Sequence, residues 1–301
     1  NRRSQTTMDA SGSTYKLLLS CPWGLSPSQV YVDFSASYDR IPHPDGDLEN
    51  SIAEIWSQRI QENPSMYNGQ KFRYAGYSSK NPDGSTSNYS VCLNLGLTDY
   101  RTFVGTNLNP LWENFLVPSE DDTIQCRHVA SPLGNGAIVE TLDKRIIVLQ
   151  RSAKVGEFPG YFVFPGGHSE PKEIGISEHP ADGVSPGSEH LNKKIAVEMF
   201  DGITREVVEE IGVPAHYLTD PVFIGISRRE LNVRPTAFFF IRCNLHSSEV
   251  KEFYSKAQDG FESTQLLAMS TADVERECSR IPGCHRGGFA LYEQMAAFED
   301  A

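Results

Sequence analysis

Positive charge is scarce in this chain. Its 301 residues hold 27 Lys and Arg against 39 Asp and Glu, a formal net charge of −12. Non-specific binding to nucleic acid needs Lys and Arg clustered on one face, so no nucleic-acid partner is expected. A small anionic ligand stays open, because one metal ion and a few Arg can meet its charge locally. Long apolar runs are also missing. No stretch approaches the roughly 20 residues of a membrane-spanning helix, so no membrane partner is expected. Cysteine is sparse: the six (Cys21, Cys92, Cys126, Cys243, Cys278 and Cys284) include no Cys-x-x-Cys pair. That argues against a disulfide-stapled mini-protein and for reduced thiols. Cys278, Cys284 and His285 are too few for a zinc site on their own, and Cys126 with His128 lacks the spacing logic of a nucleophile pair. The first thirteen residues are polar and lack the apolar core of a secretory signal. We read Met8 as a natural start, residues 1–7 as a remnant, and the cytoplasm as the default location. The sequence carries no internal repeat and no signal of oligomeric state.

Two stretches of different pattern fill the chain. Residues 15–22 read as a strand stopped by Pro22, and 46–63 as a helix with Ile52, Ile55, Trp56 and Ile60 near helical spacing. Strands are expected at 72–77 and 90–97, separated by the turn signal Asn81-Pro82-Asp83-Gly84, with a helix starting at 98–103. From about 126 a hairpin is expected over 137–140 and 145–150. A long helix follows over roughly 190–211, where Ile195, Met199, Ile203, Val207 and Ile211 recur every four positions as a buried stripe and Gly212 stops the run. Further strands are expected at 221–226, 237–241 and 266–269, and a closing amphipathic helix at 287–298. The division we expect is a tail (1–13), an N-terminal α+β domain (14–125) and a second domain (126–301).

The most informative string is Arg205-Glu206-Val207-Val208-Glu209-Glu210-Ile211-Gly212-Val213. Glu206, Glu209 and Glu210 stand at i, i+3 and i+4. At roughly 100° per residue they span only about 100° of a helix. Three like charges so close repel one another, and a hard divalent cation such as Mg²⁺ relieves the repulsion. Arg205 and Glu209, four apart, suit an ion pair that holds a ligand rotamer. Upstream, Phe164-Pro165-Gly166-Gly167-His168-Ser169-Glu170 is a glycine-rich turn after an apolar run. Gly202 lies on the helix face that turn would approach. His168 reads as a loop residue rather than a ligand.

Together these segments resemble the Nudix box: a Gly, five residues, a Glu, seven residues, then Arg-Glu-U-x-Glu-Glu-x-Gly-U, with U a bulky aliphatic. The second half fits at Arg205, Glu206, Val207, Glu209, Glu210, Gly212 and Val213. The first half does not. Val197 stands where the pattern has Glu, the nearest carboxylate is Glu198, and residues 168–197 separate it from Gly167. Residues 172–192, rich in Gly, Pro, Ser and Asp, read as a loop inserted in the box. The stretch from Leu95 to Asn107, the interrupted box and Gly225-Ile226-Ser227-Arg228 are similar to the Nudix subgroup that cleaves UDP-glucose and UDP-galactose.

The resemblance implies an α+β chain: a Nudix fold, a mixed sheet between helices in an α/β/α sandwich, preceded by the smaller α+β domain. It implies a hydrolase needing Mg²⁺ or Mn²⁺ that acts on a small nucleoside diphosphate derivative. Its metal ligands would be Glu206, Glu209 and Glu210, with Glu198 in place of the displaced Glu, and Arg205 in support. Glu206 suits either ligand or general base. Arg151 and Arg228, each after an expected strand, suit bidentate contact with phosphates. Gly166 and Gly167 would line the substrate, and Tyr100 and Asn107 would touch the uracil or sugar. Most favoured is cleavage of a UDP-sugar to UMP and a sugar 1-phosphate. The alternatives are ADP-ribose or another diphosphate ester as substrate, and a non-catalytic module that binds nucleotide or protein, motivated by the broken first half of the box.

Overall fold

The computed structural model describes residues 14–153, 157–180, 186–256 and 263–300. Ten strands fall into two sheets: β1 (Tyr15–Leu25), β2 (Val30–Phe34), β3 (Gln70–Lys80), β4 (Ser90–Asp99), β5 (Gly134–Glu140), β6 (Ile146–Arg151), β7 (Phe162–Val163), β8 (Val222–Arg229), β9 (Pro235–Arg242) and β10 (Ser263–Met269). The helices are α1 (Gly46–Glu62), α2 (Tyr100–Gly105), α3 (Asp122–Gln125), α4 (Pro186–Ile211), α5 (Ser247–Lys256), α6 (Thr271–Arg276) and α7 (Gly283–Glu299). The larger sheet runs β1-β8-β9-β5-β6-β10 with β7 added to β6; the smaller runs β2-β4-β3. In the larger sheet β5 and β9 are parallel and their neighbours antiparallel. Both central strands are buried along their length, because helices cover both faces of the sheet.

The expected stripe on α4 forms one of those covers. Ile195, Ile203, Val207 and Ile211 are fully buried and Met199 nearly so. They join Val139 and Phe239 of the larger sheet and Phe34, Leu93 and Leu95 of the smaller in one apolar cluster. On the other face, Leu291 and Met295 of α7 pack with Ile138, Ile224 and Phe238. Gly212 ends α4 with a φ of +75° that favours glycine, and its N–H donates to the Val208 carbonyl at 2.9 Å.

Two expectations change. Pro22 does not stop β1; the strand continues to Leu25 with its register to β8 shifted between Ser20 and Leu25. β1 lies at a sheet edge, where a missing N–H costs no ladder bond. The larger sheet also takes in β1, from the segment ahead of residue 126. The inserted segment is part helix: α4 starts at 186, so 186–192 are helical, while 172–180 are short 3₁₀ turn and irregular chain and 181–185 fall outside the described residues. That irregular stretch is tied to the smaller sheet. Ile176 is buried, Gln70 Nε2 donates to the Ser177 carbonyl at 2.6 Å, and His179 Nε2 lies 2.8 Å from Asp39 Oδ1.

The expected hairpin forms beside its turn, where Glu140 pairs with Ile146 and Thr141 N–H donates to the Arg145 carbonyl at 2.8 Å. Beyond that pair the neighbour of β5 changes. The Pro165–Gly167 segment takes its N–H groups, Ala137 to the Pro165 carbonyl at 2.8 Å and Asn135 to the Gly167 carbonyl at 3.0 Å. This exchange anchors the glycine turn at the end of the central strand, against α4.

Candidate active site

The glycine turn touches α4 through atoms rather than through space. A Cβ on Gly167 would lie 2.1 Å from Glu206 Oε1, and one on Gly166 would lie 2.2 Å from the Asn135 carbonyl oxygen. At Gly166 the obstacle is backbone, whereas at Gly167 it is the end of the Glu206 side chain, which would have to move. Gly202, expected to provide the close approach, has room for an added Cβ, whose nearest neighbours would be at 3.4 Å. The turn itself therefore supplies the space. Its two N–H groups are held: Gly166 N–H donates to Glu210 Oε2 at 2.8 Å, and Gly167 N–H to Asn135 Oδ1 at 2.7 Å.

Two cavities meet at this turn and share Lys71, Gly166, Gly167 and His168 as walls. The first, about 350 Å³, is lined by the cations Arg151, Arg229 and Arg234, and by Glu157, His285 and Glu210 among others. The second, about 430 Å³, is lined by carboxylates: Glu206, Glu209, Glu198, Glu170 and Glu173, with Arg205 beside them. The box trio is thus divided. Glu206 and Glu209 face the carboxylate cleft, whereas Glu210 faces the arginine cavity and holds the turn.

Arg205 does not pair with Glu209. Its guanidinium binds Glu198, seven residues back along α4, and the Glu198 hydrogen bond raises the Arg205 pKa further. Glu198, buried on the cleft wall, is engaged by that arginine. Among the described residues no three His, Cys, Asp or Glu side chains stand close enough to enclose an ion. Five carboxylates line the cleft, which is the chemistry that Mg²⁺ and Mn²⁺ take; two of them, Glu206 and Glu209, lie one turn apart on α4, while His168 is engaged by Arg234. In that chemical sense the residues fit a hard divalent ion.

The arginine cavity is built on buried ion pairs. Arg229, 2% exposed, binds the Glu157 carboxylate and Asn232, and Phe158 lies 5.0 Å from its guanidinium carbon. Arg234 reaches the other Glu157 oxygen at 3.3 Å and His168 Nε2 at 2.7 Å. Burial raises the Glu157 carboxyl, but Arg229, Arg234 and Arg151 outweigh it and hold the group below the usual carboxylate range. Burial, then Arg234 and Lys71, depress His168 well below its ordinary value, so the neutral ring accepts from Arg234. Burial and the same arginines push His285 down to about 3. Its Nδ1 accepts from Phe164 N–H at 3.1 Å, which leaves the imidazole proton on Nε2.

The other candidates separate. Arg151 lines the cavity and also donates from Nε to the Glu157 carbonyl at 2.9 Å. Tyr100 lines it too; burial and then the Glu157 charge raise its phenol pKa. Arg228 is not on that wall. It is 3% exposed and bonded to Asp122, Gln125 and Glu230, tying α3 to β8. Asn107, fully buried, donates to the Asn232 carbonyl at 2.8 Å and accepts from Ser131 N–H at 3.2 Å, so it braces the turn before β9 rather than touching the cavity. The site residues absent from the sequence reading are Arg229, Arg234, Glu157 and Lys71, and His285 entered it only in a weak zinc cluster. Arg229 was one residue away, and strand alternation alone sends it to the opposite face from Arg228. The others come from segments far apart in the chain, where no spacing links them.

No family model matches the chain. It is 62% identical to a protein named Nudix hydrolase 9 from Arabidopsis thaliana, over 96% of this chain and 93% of that one. The chain belongs to the Nudix hydrolase family. Proteins named uridine diphosphate glucose pyrophosphatase NUDT22 are also similar: the mouse protein is 35% identical over 86% of this chain and 82% of its own length, and the human one 34% over 86% and 84%. Among solved structures, a Nudix hydrolase from Nitrosomonas europaea is 17% identical with a TM-score of 0.36, covering 55% of this chain and 88% of its own; that likeness is too distant to argue from. As a Nudix hydrolase, the protein combines a mixed sheet between helices with the glycine turn and acidic helix described above.

Proposed function

We propose that this Nudix hydrolase cleaves the diphosphate bond of UDP-sugars, giving UMP and a sugar 1-phosphate. The observation that carries the reading is the seam at Gly166–Gly167, where a cavity walled by three arginines opens beside a cleft walled by carboxylates. A nucleoside diphosphate needs both. Arg151, Arg229 and Arg234 meet phosphate oxygens from one side, and Glu157 keeps two of them aligned. Glu206 and Glu209 would hold a divalent ion on the other side. When bound, that ion offsets the phosphate charge and lowers the pKa of a water. Glu210 holds Gly166 N–H, so the turn keeps its distance from α4 during turnover. The proton acceptor lies among the cleft carboxylates, Glu206 foremost. His285 and Tyr100, both neutral, offer hydrogen-bond donors to the nucleoside or sugar.

The UDP-glucose named in the similar mammalian proteins supports this choice among diphosphate esters. The test is to incubate the pure protein with UDP-glucose and Mg²⁺ or Mn²⁺ and measure UMP, alongside ADP- and GDP-linked compounds. Glu209→Gln and Glu210→Gln should each reduce turnover at least about 100-fold while the protein stays folded. Full activity in both would remove the assigned roles, and faster release of AMP from ADP-ribose would replace the substrate.

A further inference from the structure

Among the described residues, the segment before residue 126 brings one cation to the site, Lys71. On β3, Phe72 goes into the core, so Lys71 and Arg73 lie on the opposite face. Arg73 is buried and spends its donors on backbone carbonyls, Tyr38 and Cys126 at 2.9 Å each. Lys71 instead extends to the seam. Its side chain is 15% exposed and binds the Glu170 carboxylate, and it lines both the arginine cavity and the carboxylate cleft. Of the four residues common to the two cavities, Lys71 is the one with a fixed positive charge, since the buried His168 stays neutral. Lys71 thus places an ammonium where the arginine cavity and the carboxylate cleft adjoin.

We propose that Lys71 contacts the diphosphate of the bound nucleotide where it crosses the seam, exchanging Glu170 for a phosphate oxygen. This rests on the reading that a nucleoside diphosphate is the substrate. Glu170 holds the ammonium in place when the site is empty, so little side-chain freedom is lost on binding. Lys71 thereby makes the N-terminal sheet a direct part of the phosphate site, as distinct from a support for it.

The test compares UDP with UMP, which lacks the second phosphate, by calorimetry in Mg²⁺ on the full chain. For Lys71→Met, UDP affinity should fall at least about tenfold, the size of a lost charge-assisted bond, while UMP affinity changes less than about twofold. Lys71→Arg should keep most of the UDP affinity. Equal losses for the two ligands, or none, overturn the proposal; a drop in melting temperature with an unchanged UDP-to-UMP ratio would mark Lys71 as only a tether for Glu170. Wild-type protein that binds neither ligand overturns it as well. If the wild type binds UDP but releases no UMP from UDP-glucose, the hydrolysis reading fails, and the UDP-to-UMP ratio still decides the Lys71 contact.

Discussion

At Gly167, Glu206 occupies the volume that a methyl group would take. Gly167→Ala must move either the turn or the carboxylate, and a shift near 1 Å at a reacting centre costs about 100-fold in rate. We expect kcat/KM for UDP-glucose to fall by that order, measured with a melting curve to separate it from misfolding. His285 gives a pH prediction. Its folded value is about 3, and an unfolded imidazole titrates near 6.5. Between these, the unfolded chain holds the proton and the folded one does not, so stability falls as the pH drops below about 6.5, by up to about 1.4 kcal/mol per pH unit. His285→Gln should flatten the melting temperature against pH between 6.5 and 4; an unchanged slope would show that the ring does not bear this load. The box residues were legible singly because helical spacing is local. Their division between two cavities was not, since it depends on where Pro165–Gly167 docks on β5.

Among the elements, α4 was the most legible, because five aliphatic residues at one spacing leave a single face to bury. β8 was legible as a strand, yet which of its two arginines lines the cavity was not. Parity decides which neighbour faces which side, and a fully buried strand has no polar face to set the parity. The two arginines should therefore respond differently. Arg228→Met leaves the half-buried Asp122 without its partner and should cost about 1–3 kcal/mol in a denaturation curve, with kcat/KM of the folded fraction unchanged. Arg229→Met should weaken UDP-glucose binding, seen as a raised KM. If the Arg228 variant loses binding instead, the placement of the two side chains is reversed. The insert read as loop from its composition, but its last residues extend α4, and only contact with the smaller sheet explains its course.

For the whole molecule, local pattern gave most of the strands and, of the long-range partners, only the approach of the glycine turn to α4. The break in pattern near residue 126 suggested two bodies, whereas one apolar cluster contains residues of both sheets and α4. Expression of residues 126–301 alone should therefore yield protein without a cooperative melting transition, because it exposes the β8 edge and the surface under Phe34, Leu93 and Leu95. A sharp transition in that fragment would restore an independent C-terminal unit. The same wiring bears on biosynthesis. Tyr15 pairs with Arg229, so β1 waits for more than two hundred further residues before its hydrogen-bonding neighbour exists. Such late closure slows folding and prolongs the exposure of an unpaired edge. Until β8 has been synthesised, a nascent chain leaves that edge open to the partners, chaperones among them, that bind unpaired strands.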